Sequence, residues 1–173
     1  MLKLLERLEY RLYSKTLHQL VGTTYRLTPV ATQNYSLFPT AKVNDFNTLW
    51  INPGRIQTLY PQEHQVVVAL ENLFSILVDR TCKTIQKNME KAFWAHAILK
   101  REHDHEGTKA TTNLLEFLDV TSSNETRYIL KRHQYQHIPS YQNEFFKLYT
   151  HFQTEQIRKE AQRALQEQFN FEK

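Results

Sequence analysis

Cysteine is nearly absent from the chain, since Cys82 is the single one among 173 residues. A disulfide framework within the chain, or a zinc site built from paired cysteines, needs more than one, so both are excluded. A lone cysteine fits a reducing compartment. We predict that Cys82 is a small core residue, because free cysteine usually behaves as a buried hydrophobic residue.

Glycine and proline are also scarce, with three and five residues respectively. Folds built from short strands and tight turns use more of both, so helix is favoured. Apolar residues make up 40% of the chain and charged residues 23%, which is ordinary globular usage. The composition therefore predicts a single, mostly α domain over residues 1–173, a helical bundle with one long central helix.

No apolar run reaches the roughly 18 residues that a membrane span needs. Charged residues such as Glu6 and Arg11 interrupt the N-terminal segment, which argues against a signal peptide. We therefore expect a cytoplasmic protein that does not enter a membrane. The net charge is +4, and residues 1–60 hold the surplus, with seven Lys or Arg against three Asp or Glu. Such a surplus is compatible with acidic or phosphate-bearing partners.

The longest helical signal covers residues 61–107, with Pro61 at the first turn and Gly107 just past the end. Proline is favoured at the start of a helix and glycine after its end, and neither occurs between these two. Residues 66–78 are apolar on almost every side of such a helix, so we expect this part to be buried. The segment is predicted to be one long central helix.

The N-terminal third has weaker signals. Residues 2–21 show helical spacing of leucines, with Gly22 as the stop. Residues 22–60 lose that spacing and hold three of the five prolines. We predict an irregular segment there, with room for a small β-hairpin at a type II turn formed by residues 52–55.

Two further helical units are predicted towards the C-terminus. Ser122 and Glu125 have the spacing of a capping box, so residues 108–137 are predicted to form a helical hairpin. Pro139 then ends that unit. Residues 140–170 are predicted to form a long C-terminal helix.

Basic side chains recur along the second half of the predicted central helix. Arg80, Lys83, Lys87 and Lys91 follow at steps of three, four and four residues, which places them in one row on a helix. Arg101 continues that row. Such cations can contact nucleic-acid phosphates, although a solvated helix face has the same pattern. This interpretation depends on the central helix being uninterrupted.

A second basic group lies in the predicted hairpin. Arg127, Lys131 and Gln134 would point outward together on its second helix, and Arg and Gln side chains read base edges or grip phosphates. The pattern is that of a DNA-binding helix-turn-helix, although any two antiparallel helices with a short connection would resemble it. The favoured function is therefore a non-enzymatic regulatory protein that binds nucleic acid or a nucleoprotein complex.

The first alternative is a protein–protein adaptor or inhibitor. Aromatic residues accumulate in residues 23–60, and Trp94 stands among the basic residues of the central helix. Aromatic side chains are enriched at protein interfaces, so these residues would form the docking surface. Packing around the central helix explains them equally well.

The second alternative is a metal-independent ribonuclease. Arg127 and His133 are close in sequence, as are Arg132 and His137. Their spacing resembles an Arg–His motif of helical nucleotide-binding ribonucleases. The resemblance implies a histidine as general acid–base and an arginine that stabilises the charge on phosphorus.

A metal site has weak support. Glu102 and His105 have the Glu-x-x-His spacing of carboxylate-bridged metal centres, and Glu106 follows them. His133 and His137 could join from another helix. Such centres need carboxylates from several helices, and the chain has one Glu-x-x-His. We therefore expect no metal and no cofactor.

Overall fold

One helix, then six strands, then four further helices follow along the chain in a computed structural model of residues 9–42, 45–105 and 107–171. Helix accounts for 49% and strand for 17%, and these residues form two three-stranded antiparallel sheets and five helices. The fold is therefore mixed α and β. The prediction of a mostly α, all-alpha bundle is wrong.

The N-terminal part combines a helix with a small sheet. Helix α1 (Tyr10–Val21) ends at Gly22, whose φ of 69° gives the left-handed cap expected of a stop glycine. Part of the helix predicted over residues 2–21 lies outside the described residues. Strands β1 (Val30–Ala31), β2 (Ser36–Pro39) and β3 (Trp50–Ile51) form the first sheet in that order.

The turn at residues 52–55 differs from the prediction. Pro53–Arg55 forms a 3-10 turn, in which Asn52 Oδ1 accepts a hydrogen bond from the amide of Gly54 at 2.9 Å. Gly54 lacks the positive φ that a type II turn requires at its third position. The turn connects the first sheet to the second and does not close a hairpin.

The long helix predicted over residues 61–107 is wrong, because its first part is a sheet. Strands β4 (Ile56–Gln62), β5 (Gln65–Leu70) and β6 (Ser75–Val78) form an antiparallel meander. Helix begins only at Cys82, so helix α2 (Cys82–Arg101) is the part of the prediction that is correct.

Local chemistry explains why the chain forms strands before Cys82. Val66, Val67 and Val68 are consecutive β-branched residues, which favour extended backbone. Asn72 then reverses the chain between β5 and β6 with a φ of 68°, a left-handed conformation that asparagine adopts more readily than most residues. A buried apolar run cannot be assigned to strand or helix from periodicity alone.

Helix α2 lies at the centre of the core. Thr81 caps its start, because Thr81 Oγ1 accepts a hydrogen bond from the amide of Thr84 at 3.2 Å. Residues 95–99 are all buried, so this end of the helix is enclosed on every side. Its neighbours in the core include strands β1 and β2.

Three helices complete the fold: α3 (Leu114–Leu118), α4 (Asn124–Leu130) and α5 (Glu144–Phe171). The capping box lies one residue later than predicted, with Ser123 as the cap and Thr126 as its partner. Helix α4 ends at Leu130, well before the predicted end of the hairpin at residue 137.

Helices α1 and α5 pack together. The rings of Tyr13 and Phe145 lie 5.8 Å apart, and the amide of Glu9 donates a hydrogen bond to Tyr149 Oη at 2.9 Å. Side chains from residue 157 to residue 167 of α5 are all exposed. None of the helices in the described ranges is long and apolar enough to cross a membrane. A cytoplasmic location stays a prediction.

Candidate functional site

Three of the predicted basic residues form a row on α2. Lys83 and Lys87 are exposed and Lys91 is half-buried, with its Nζ 5.0 Å from the ring centre of Tyr25. Burial lowers the pKa of Lys91, and the charge of Lys87 lowers it further. We call Lys83, Lys87 and Lys91 the α2 basic face; it spans about 12 Å along the helix axis.

The two ends of the predicted row do not belong to this face. Arg80 precedes α2, and its Nη1 donates a hydrogen bond to the carbonyl oxygen of Asp79 at 2.8 Å. Arg101 is buried, with 6% of its surface exposed, so its guanidinium cannot reach a nucleic acid. The continuous row expected on an unbroken helix is therefore reduced to three lysines.

Arg101 instead connects α2 to the segment before α5. Its guanidinium donates hydrogen bonds to the carbonyl oxygens of Tyr135, Ile138 and Ser140, and lies 4.0 Å from the ring centre of Tyr135. Charged groups are rarely buried without such partners. The role of Arg101 is structural.

The candidate reading residues are not arranged as predicted. Arg127 is exposed on α4, and its Nε donates a hydrogen bond to Ser122 Oγ at 2.7 Å. Lys131 is exposed just after the helix ends. Gln134 is half-buried before a 3-10 turn, where its backbone N–H donates a hydrogen bond to His137 Nδ1 at 3.0 Å. Because no helix continues past Leu130, these three side chains do not share one helical face.

Glu90 joins α2 to the segment after α4. Its Oε1 accepts a hydrogen bond from Arg132 Nη2 at 2.8 Å and lies 3.2 Å from His133 Nε2. The rings of Trp94 and His133 meet edge to face with their centres 4.8 Å apart. Burial lowers the pKa of His133, while its hydrogen bond to Glu90 acts in the opposite direction. These contacts place Arg132 beside the α2 basic face.

An exposed aromatic residue lies next to that contact. Tyr128 has 65% of its surface exposed, and the Arg132 guanidinium lies 5.7 Å from its ring centre. The sequence did not single out Arg132 for binding, nor Tyr128 at all. A tyrosine with arginines one residue before it and four residues after it, at positions 127, 128 and 132, could have indicated this aromatic and basic surface from the sequence.

The two Arg–His pairs considered for a ribonuclease are arranged differently. Arg132 Nε donates a hydrogen bond to His133 Nε2 at 3.2 Å, and the ring centres of His133 and His137 lie 6.5 Å apart. Arg127 bonds to Ser122, whereas His133 contacts Glu90, so the two predicted groups have different partners. Ribonuclease activity itself stays a prediction.

The first residue considered for a metal site, Glu102, contacts a backbone amide. Glu102 is buried, and its Oε1 accepts a hydrogen bond from the amide of Phe145 at 2.8 Å. Burial raises the pKa of this carboxyl group. Within the described ranges, no group of three or more His, Cys, Asp or Glu residues could hold a metal ion. Glu106 lies outside the described residues.

The predicted aromatic docking segment is largely part of the core. Tyr25 and Phe38 are buried, Trp50 is half-buried, and Trp94 is half-buried against His133. Phe46 and Leu49 of that segment remain exposed, and a larger group of exposed apolar side chains lies on the second sheet.

One face of that second sheet is apolar and exposed. Tyr60 lies opposite Val67, and Val67 lies opposite Leu77, so the three side chains form a row across the strands. Tyr60 is 55% and Leu77 51% exposed, and the neighbouring turn adds the exposed Leu73 and Phe74. We call these five residues the apolar sheet face. Contiguous exposed apolar patches commonly mark protein contacts.

Comparison with known proteins does not add a relative to this description. No protein-family model, no curated protein and no solved structure matches the chain.

Proposed function

We propose that the protein binds single-stranded nucleic acid through the α2 basic face and the adjoining Arg132 and Tyr128, without catalysing a reaction. The observation that carries the proposal is the alignment of three lysines beside Glu90, whose carboxylate is already bound to another side chain. Glu90 forms an ion pair with Arg132, so its charge is partly neutralised.

Phosphates would lie along the three lysines. Lys87 lowers the pKa of Lys91, which means that the two positive charges repel each other. A polyanion bound along the row would relieve that repulsion and release counterions, which is the main source of non-specific affinity for nucleic acid.

A base would stack on Tyr128. Its ring is 65% exposed, and Arg132 stands within 5.7 Å of the ring centre. Aromatic rings beside cations bind unstacked bases with little sequence preference. Stacking of this kind requires splayed bases, so a single strand fits better than a duplex.

Charge reversal tests the proposal. The Lys83→Glu/Lys87→Glu variant should bind a fluorescent single-stranded oligonucleotide at least about tenfold more weakly than the wild type at low salt. The charge-matched control is Lys147→Glu/Lys159→Glu, which reverses two exposed lysines on α5. Equal affinities for the wild type and the double variant would reject the proposal.

The apolar sheet face supports a second candidate, a protein adaptor that binds an extended apolar segment of its partner. Strand β6 is the last strand of its sheet, and no described strand pairs with its outer edge. An unpaired edge offers backbone hydrogen bonds to an added strand, while the exposed Leu77 offers apolar contact.

Peptide selection distinguishes this candidate. Random peptides selected on the wild type should perturb the backbone amides of Ser75–Val78 in NMR spectra. They should lose affinity for Leu77→Glu but not for Leu165→Glu, whose leucine is similarly exposed on α5. Equal binding to both variants, or failure to select any peptide, would reject the adaptor.

A further inference from the structure

A polar cavity of about 240 Å³ lies on the side of α2 away from the lysines. Phe93 and His96 of α2 form one wall, and Ser36 of β2 contributes to another. At 100° per residue, His96 is about 140° around the helix from Lys91. The cavity is therefore separate from the α2 basic face.

Ser36 is the first indication that something binds there. The residue is 2% exposed, and its Oγ has no hydrogen-bond partner among the described residues. A buried hydroxyl without a partner is unfavourable, and native structures contain few of them. A ligand in the cavity would supply the missing hydrogen bond.

His96 is the second indication. It is 1% exposed, and its Nε2 lies 3.2 Å from the carbonyl oxygen of Gln33. Since a carbonyl only accepts, Nε2 carries the proton, which leaves Nδ1 as the acceptor of the ring. Burial lowers the pKa of His96 to about 4, so the ring is neutral at ordinary pH.

The charged residues around the cavity are exposed. Arg55 is paired with Glu71, and Asp119 stands at the mouth. The buried wall thus offers one hydroxyl and one neutral acceptor but no charge. An ionic group would therefore be a poor fit for the inner part of the cavity.

Size and shape narrow the ligand further. At about 30 Å³ per water, the volume equals about eight waters, or a molecule of roughly ten non-hydrogen atoms. Two aromatic residues, Tyr35 and Phe93, line the cavity and could contact the faces of a flat ring.

We propose that this cavity binds a small, uncharged, planar heterocycle of the nucleobase class. A ring N–H of the ligand donates to His96 Nδ1, and Ser36 Oγ bonds to a ligand carbonyl or ring nitrogen. Phe93 contacts the apolar ring face. The proposal does not depend on nucleic-acid binding at the α2 basic face.

Ligand-observed NMR and calorimetry test the proposal with adenine, cytosine and uracil and with their nucleosides. At least one base should bind the wild type saturably, with a Kd of about a millimolar or below, as expected for a ligand of this size. Binding of the base alone assigns the cavity to free heterocycles. Binding of the nucleoside as well shows that it accepts a base carried on a sugar.

Two variants locate the binding. Ser36→Ala and His96→Phe should each weaken it by about tenfold, the effect of losing one buried hydrogen bond, while Lys147→Ala binds as the wild type does. Thermal melts check that each variant is folded. If His96→Phe does not fold, the affinity of Ser36→Ala alone decides whether the base binds in the cavity. Failure of every base and nucleoside to saturate the wild type would show a cavity that holds water only. Unchanged affinity in Ser36→Ala would show that the base binds elsewhere, and either result would reject the proposal.

Discussion

Glu90 and Arg132 connect helix α2 to the segment after α4, with 2.8 Å between Glu90 Oε1 and Arg132 Nη2. The pair is partly exposed, so its contribution to stability is small, about 0.5 kcal/mol. Its importance lies in its position, because Glu90 is the acidic residue that follows Lys83 and Lys87 on the same side of the helix.

Glu90→Gln should strengthen nucleic-acid binding. The substitution removes a negative charge beside the lysines and releases Arg132 for phosphate contact, so we expect affinity to rise about two- to threefold at low salt. Fluorescence anisotropy measures the change. Glu160→Gln, which removes an exposed acid from α5, is the charge-matched control and should have no comparable effect. A loss of affinity in Glu90→Gln would mean that Glu90 orients a binding residue.

Arg101→Met should destabilise the protein without affecting binding. The change leaves three backbone carbonyls, those of Tyr135, Ile138 and Ser140, without the guanidinium. We expect a loss of about 3 kcal/mol in the free energy of unfolding, measured by urea denaturation. If stability is unchanged but oligonucleotide binding is weakened, Arg101 contacts nucleic acid and this assignment of a structural role is wrong.

Leu73→Asn should stabilise the protein. Leu73 has a φ of 62° and a fully exposed side chain, so the native fold bears left-handed strain without gaining burial. Asparagine tolerates that conformation better, and we expect a gain of about 0.5–1 kcal/mol in thermal or urea unfolding. Leu77→Asn, in extended strand, should show no such gain. If Leu73→Asn is destabilising, the side chain must have a stabilising contact.

Acid should destabilise the protein through His96. The pKa of His96 falls from 6.5 to about 4 on folding because of burial, so between those values the unfolded chain binds a proton that the native protein does not. Stability therefore decreases as pH falls from about 6.5 to 4, by about 3 kcal/mol from this residue. The difference between the wild type and His96→Phe isolates this contribution. An NMR titration that shows His96 protonated at pH 6 would contradict the assignment.

The sequence predicted the later helices better than the sheets, for physical reasons. Gly22 and the serines before α4 mark helix ends by local chemistry, which can be read from sequence. Thr81, which caps α2, lay inside the helix predicted over residues 61–107 and was missed. The apolar stretch of residues 66–78 fits a helix or a hairpin equally well, and only Asn72 marks the reversal. The expectation that the whole stretch is buried is wrong, because Leu73, Phe74 and Leu77 are exposed.

The candidate site was predictable only in part. The spacing of Lys83, Lys87 and Lys91 depends on one helix, so it was found from sequence and is retained in α2. The contact of Glu90 with Arg132 joins residues 42 positions apart, and the cavity at His96 joins several segments. Neither has a sequence signal, because tertiary packing creates both.

The dependence of affinity on salt tests the central claim most directly. Three lysine–phosphate contacts on a single strand predict a slope of about −2 for log affinity against log salt concentration, and hence about a twentyfold loss between 50 and 200 mM salt. The Lys83→Gln/Lys87→Gln/Lys91→Gln variant should lose about that whole slope. The same slope in both proteins, or no oligonucleotide binding by the wild type at low salt, would contradict the account.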